Sequence, residues 1–312
     1  MNSMPDDGER AAGDPDGRRA PAGQAQAAGA ATDLAVFEWT DPGLLPDGAG
    51  PVSGHDARVA GATDGSFEGW VALRESLDLA LRVLRFPLTL LVGEFVLVAG
   101  VASAYSALVH RLIPPSHDWP NFVGAMGLVV LIIALWKGIQ QGLEGRVDRE
   151  LGFSRFGREL GAGLVIGFAI FVLIALTVAG LGGLTFRGVR GLGDISGMLV
   201  VGLVPGVFEE MLFRGIALRH LERLVGTWGA LFITAAFFGG AHLFNRDATW
   251  FAAVAIAFEA GVLLGGAYLL TRRLWMVVGI HAAWNFTQGW VFSAPVSGGP
   301  APAGLLIVDR DR

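Results

Sequence analysis

From Phe86 onward the chain alternates long apolar runs with short charged breaks. Seven such runs cover roughly 86–113, 120–137, 160–186, 196–213, 228–244, 249–270 and 274–292, most of them near the ~20 residues a helix needs to cross a bilayer. In hydrocarbon every backbone polar group needs an internal partner, so the pattern predicts an all-α, polytopic transmembrane helical bundle of about seven spans. The two-residue alternation of a membrane barrel is absent. Gly interrupts several runs, which membrane helices tolerate because small residues let neighbouring backbones approach. Turns are expected at PPSHDW, residues 114–119, and at GLGGLTFRGVRGLGD, residues 180–194.

The N-terminal part reads differently. Residues 1–66 are dominated by Ala, Gly, Asp and Pro and hold too little apolar surface to offset the entropy of ordering, which predicts a disordered polar tail. No apolar core or cleavage pattern of a signal peptide is present there, which leaves the N-terminus on the cytoplasmic side. In residues 67–85 the segment VALRESLDLALRVLR mixes apolar positions with Arg74, Arg82 and Arg85, as an interfacial helix or an extension of the first span would. Beyond it lie an N-terminal set of transmembrane helices (86–194), a transmembrane domain carrying the polar motifs (195–292) and a C-terminal tail (293–312).

With the N-terminus inside, the cytoplasmic segments hold Lys137, Arg146, Arg149, Arg155, Arg158, Arg219, Arg223, Arg272 and Arg273 besides the three early arginines. The outer ones hold Arg111, Arg187, Arg190, Arg246, Arg310 and Arg312. This bias predicts a multi-pass cell-membrane protein with its N-terminus inside and its C-terminus outside. Composition agrees with a lipid-solvated chain: 53% of residues are hydrophobic and mean hydropathy is +0.53. A net charge of −5 gives no support to nucleic-acid binding. With no cysteine, disulfides, a thiolate nucleophile and cysteine-ligated metal are excluded.

Ionisable residues inside such runs are costly and are functional candidates by default. They are Glu94, Glu209, Glu210, His242 and His281, joined by Glu259 and Asn285. In VPGVFEEMLFRG (204–215) adjacent carboxylates point about 100° apart. Glu210 and Arg214, four apart, share a face, so Glu210 is expected to be neutralised and Glu209 left free. Phe238 and His242 are four apart in FFGGAH, and His281 and Asn285 in HAAWN. If the chain reverses near Gly226, Glu209 lies 17 residues before the turn and His242 16 after it, at one height. His281 and Asn285, counted from Arg272 and Arg273, come out shallower by roughly 5–12 Å. A carboxylate beside an imidazole suits general-base activation of water, and a second imidazole and an amide suit an oxyanion. The chemistry described is amide hydrolysis.

Glu209-Glu210-x-x-x-Arg214, then Phe238-x-x-x-His242, then His281-x-x-x-Asn285, each in an apolar helix, resembles the CAAX prenyl endopeptidase and bacteriocin-processing family, also called CPBP or Abi. The similarity covers about residues 195–292. It implies an intramembrane endopeptidase whose substrate is a prenylated or membrane-associated protein or peptide. By the same resemblance Glu209 is the base, His242 holds the attacking water, His281 and Asn285 stabilise the oxyanion, and Glu210 and Arg214 support the site. Members are commonly called metalloproteases. A His and Glu set is able to ligate zinc, but Asn is an unusual ligand and HExxH is absent, so the reading favours a metal-free mechanism.

Other readings compete. Gly191-Leu192-Gly193-Asp194 matches the short GxGD signature of aspartyl intramembrane proteases, but no apolar run holds the second aspartate they need. A proton-coupled transporter and a non-proteolytic scaffold or immunity-type protein are the functional alternatives. Glu94 is read as a structural hydrogen-bonder and His220 as interfacial. Trp119, Trp136, Trp228, Trp250, Trp275 and Trp290, near run ends, are read as interface anchors.

Overall fold

The computed structural model describes residues 64–114 and 118–309, with side chains from residue 69 onward. All but the last three residues of the predicted tail, and the centre of the 114–119 turn, therefore lie outside the described residues. Helix α1 (Asp64–Leu84) is exposed at every residue from Gly69 on, including Trp70, Leu73, Leu77 and Leu81. Helices α2 (Pro87–Leu112), α3 (Asp118–Gly138) and α4 (Phe156–Gly180) follow. Next come strand β1 (Thr185–Val189), helix α5 (Ile195–Glu210) with a π-helical continuation Met211–Leu218, and helix α6 (Arg219–Ala241). Helix α7 (Trp250–Ile256) runs through a π segment, Ala257–Val262, into α8 (Leu263–Thr271), and α9 (Leu274–Phe286) is followed by strand β2 (Leu306–Asp309).

Five helical stretches among the described residues are long and apolar enough to cross a membrane, in keeping with a helical multi-pass protein. The sequence count of seven differs for two reasons. One stretch, Ile195–Phe244, runs for 50 residues and folds back on itself. Gly226, at φ 74°, occupies the left-handed region where a side chain is disfavoured. Phe213 and Phe238 meet edge to face with ring centroids 5.0 Å apart, whereas 25 residues of straight helix would hold them about 37 Å apart. The remaining apolar run is α9, which packs inside the bundle with ten of its thirteen residues buried.

Glycine stripes explain the burial of α9. A Cβ on Gly163 of α4 would stand 3.0 Å from Gly279 Cα, and one on Gly167 2.9 Å from Ile280 Cα. From the other side, Cβ atoms on Gly202 and Gly206 of α5 would stand 2.9 Å from Ala282 O and 3.3 Å from its Cβ. Ile280 and Ala282 are two positions, about 200°, apart on the helix, so α9 is clamped between backbones on opposite faces.

The basic segments assigned to one side do meet. Arg273 of the α8–α9 turn bonds Glu159 of α4 at 2.8 Å and also reaches the carbonyls of Arg149 and Gly152, while Arg272 bonds Glu222 at 2.6 Å. At the opposite end β1 and β2 pair antiparallel, so part of the predicted C-terminal tail is a strand beside the 180–194 turn. Two short strands were not legible in the apolar pattern, because a ribbon outside the spans needs no long run.

Several edge-of-membrane readings are corrected. Trp136 and Trp275 are 0% and 4% exposed, not interfacial. Trp136 fills the space opposite Gly215 and lies under the Arg219 guanidinium, and Trp275 packs against Phe153 and Phe156. Trp119, Trp228 and Trp250 are exposed. His220 and Arg219 are buried as well, because α6 extends to Gly226 and carries them inside.

Candidate active site

Pro205 sits inside α5, four residues before Glu209. Lacking an N–H, it leaves the carbonyl of Val201 without its helical donor. The Asn285 side-chain amide approaches that carbonyl at 3.5 Å, the outer limit of a hydrogen bond. Just beyond Glu210 the helix widens into the π segment Met211–Leu218, a local distortion common at functional sites.

Glu210 and Glu209 part company as their spacing predicts. Glu210 is fully buried and accepts from Arg214 Nη1 at 3.0 Å and from His281 Nδ1 at 2.7 Å. Arg214 is saturated by other contacts too: Nη2 donates to Ala260 O at 2.8 Å and Gly261 O at 3.2 Å, and its guanidinium lies 4.6 Å from the Phe238 ring. Glu209 keeps 24% of its side chain exposed against none for Glu210, and its Oε2 has no hydrogen-bond partner among the described residues. Its closest ionic approach is to His281 Nε2, at 3.9 Å.

His281 is thus oriented by Glu210 through Nδ1 and presents Nε2 toward Glu209. A carboxylate that takes the N–H at one ring nitrogen fixes the tautomer and leaves the other nitrogen as the working atom. His242, at the end of α6, is held likewise, with Nδ1 at 2.7 Å from Phe238 O. Phe238 fills the space between the two imidazoles, with ring centroids 4.9 Å from His242 and 6.2 Å from His281.

The depth count separated His281 from the glutamates, and the structure joins them. The Arg272–Glu222 ion pair shows that the α8–α9 turn is level with Glu222, not with Gly226. From those levels Glu210 is 12 residues away and His281 nine, about 4.5 Å of rise, which tilt and the π segment absorb. His242 and Glu209, placed at one height by the count, make no direct bond among the described residues.

A cavity of about 300 Å³ opens against this cluster, with His242, His281 and Asn285 in its wall. Glu209 is not a wall residue and adjoins the cavity through His281. Glu259, undecided from sequence, is in the wall, as are Asp247 and Gln288.

The residues present do not suit a bound metal. Glu209, His242 and His281 do not bring three ligand atoms within reach of one ion. Among the described residues only Glu94, Glu144 and His220 do. There Arg219 Nη2 stands 3.3 Å from Glu94 Oε2, 2.5 Å from Glu144 Oε1 and 3.4 Å from His220 Nε2. A guanidinium nitrogen already holds the place a cation would take, so this cluster is an internal salt-bridge network. Glu94 is bonded there to Arg219 and to His220, the latter at 3.1 Å. Asp194 of the GxGD match caps α5, accepting from Gly197 N at 2.8 Å. Sequence reasoning missed Glu144 as Arg219's partner, since it lies in a charged loop 75 residues away.

A family model, Type II CAAX prenyl endopeptidase Rce1-like, matches residues 191–287, 97 of the 312 residues. Every motif residue from Glu209 to Asn285 falls within the match. No curated protein and no solved structure matched the chain.

Proposed function

We propose that the chain, whose residues 191–287 match the Rce1-like type II CAAX prenyl endopeptidase family model, hydrolyses a peptide bond of a membrane-associated or prenylated substrate with water activated by Glu209. The observation that carries this reading is the division of labour between the two carboxylates. Glu210 is fully buried with its Oε1 taken by Arg214 and His281, while Glu209, 3.9 Å from His281 Nε2, is 24% exposed and makes no hydrogen bond among the described residues. A gap of 3.9 Å is too long for a direct hydrogen bond and suits an intervening water.

In this mechanism Glu209 takes a proton from that water as its oxygen attacks the scissile carbonyl carbon. The negative charge passes to the carbonyl oxygen, where the Asn285 amide is a donor; His281 and His242, whose Nδ1–H groups are given to Glu210 and to Phe238 O, donate from Nε2 only as imidazolium and otherwise accept from the water. Protonated Glu209 then gives its proton to the departing amine as the C–N bond breaks. Glu210 does not react: it holds the tautomer of His281, and Arg214 with Phe238 holds Glu210. The mechanism is metal-free, a reading supported by the spread of the His and Glu atoms.

The deciding experiment is Glu209→Ala in proteoliposomes, assayed with internally quenched prenylated and unprenylated membrane peptides. Cleavage should fall by at least ~10³-fold, the scale of losing an essential general base. Unchanged cleavage would remove Glu209 from the mechanism. A host phenotype that survives the loss of cleavage would favour a scaffold role.

A further inference from the structure

Glu259 is the carboxylate that the proposed chemistry leaves unused. It stands ten residues into the 22-residue stretch Trp250–Thr271, near the middle of a span, where an ionised group is expensive. Apart from Asp118, at the first position of its span, the other carboxylates within the spans have company: Glu94 has His220 and Arg219, Glu159 has Arg273, Glu210 has Arg214, Glu222 has Arg272, and Glu209 has His281 nearby. Among the described residues Glu259 makes no hydrogen bond and no ion pair, and it is exposed.

Its placement is not random. Ile256, Glu259 and Leu263 recur at helical spacing on one face, and that face lines the cavity shared with His242, His281 and Asn285. His242 is 8% exposed and ties Nδ1 to Phe238 O, so its open ring nitrogen belongs to a wall of the same cavity. Asp247 adds a second carboxylate to the wall, which contains no Lys and no Arg. Arg246, next in the loop, is not a wall residue. The wall therefore sets two carboxylates with no cationic side chain among them, an arrangement that attracts an opposite charge and rejects a like one.

We infer that Glu259, with Asp247, forms a subsite for a positive charge on the bound peptide, a Lys or Arg side chain or an N-terminal ammonium. The inference rests on the proteolytic reading for the choice of a peptide as ligand. A free C-terminal carboxylate is a poor occupant of this wall, so the residue that docks here lies within the substrate chain or at its amino end.

The test uses the full chain carrying Glu209→Gln, in phosphatidylcholine nanodiscs at physiological salt, with fluorescein-labelled apolar 12-residue peptides. A single Lys, Gln or Glu is scanned through the peptide, and Kd is read by fluorescence anisotropy. At the best position Lys should bind at least tenfold tighter than Gln, with Glu weaker still. Adding Glu259→Gln should bring the Lys-to-Gln ratio below about threefold, a loss on the scale of one charge pair. Asp309→Asn, a carboxylate paired with Arg187 and remote from the cavity wall, should leave the ratio unchanged. Absence of a Lys preference, or a preference that survives Glu259→Gln, overturns the inference. Cleavage of the same peptides by the unsubstituted protein is measured in parallel. If the Lys preference depends on Glu259 but nothing is cut, the protease reading falls and the cation subsite stands. If the peptides are cut but show no Lys preference, the subsite falls and the protease reading stands.

Discussion

Gly167→Ala tests how strongly the site depends on helix packing far from its chemistry. The added Cβ would stand 2.9 Å from Ile280 Cα and 3.0 Å from Ile280 C. Restoring ordinary contact requires α9 to move by about 1 Å, since interiors are close-packed and lack slack. Retreat is blocked on the far side, where α5 packs so closely that even a Cβ on Gly206 would stand 3.3 Å from Ala282 Cβ. His281 is next to Ile280 in the chain, so its 2.7 Å bond to Glu210 would open past hydrogen-bonding range. A 1 Å misplacement of a catalytic group costs on the order of 10²-fold in rate, close to 3 kcal/mol of barrier. Overpacking should cost a further ~1–3 kcal/mol of stability. The assay is cleavage of a quenched membrane peptide in proteoliposomes, with Tm measured on the same samples. Gly161→Ala is the internal control: it lies on the same helix, and a Cβ there meets nothing within 4 Å. If Gly167→Ala retains the activity and Tm of Gly161→Ala, the clamp does not position His281 and the reasoning fails.

Other outcomes follow from the same geometry. Glu210→Gln strands the Arg214 charge in a fully buried site and should lower stability by about 3–5 kcal/mol, whereas Glu209→Gln, with no bonded partner, should leave Tm nearly unchanged while abolishing cleavage. Burial pushes Glu144 up, but the bidentate grip of Arg219, helped by His220 and Arg146, outweighs it and holds the carboxyl at about 2 against an ordinary 4.5. A depressed folded-state value stabilises above the ordinary one and is lost on acidification, so Tm should fall as pH drops from about 4.5 toward 2. Arg219→Met should flatten that dependence, and an unaltered Tm–pH curve would show that the pair does not couple to folding. Peptide cleavage should survive chelation by 1,10-phenanthroline, and inactivation reversed by zinc but not by magnesium would require a bound metal. A reporter fused after Arg312 should be read outside the cell if the N-terminus is inside, because β1 and β2 share one end and are joined by an even number of passes; a cytoplasmic signal would refute that orientation.

Hydropathy alone determined that the chain is a helical membrane bundle, because lipid leaves the backbone no other way to bond and long apolar runs have no other use. Four-residue spacing determined that Glu210 pairs with Arg214, because that contact is local to one helix. Ordered motifs in apolar helices were enough to indicate the family that the match over 191–287 supports. What lay beyond was set by contacts between distant helices. His281 meets Glu210 across 71 residues because the turn before α9 is level with Glu222, a height that no residue count from Gly226 supplies. His220 and Arg219 are buried because the helix runs on from the π segment and Glu94 and Glu144 partner them there, and Trp136 of α3 is buried because it packs opposite Gly215 and under the Arg219 guanidinium. Local spacing fixes which residues share a helix face, and only the tertiary packing decides which faces meet, since that depends on where glycine lets two backbones close and where buried charge finds its partner.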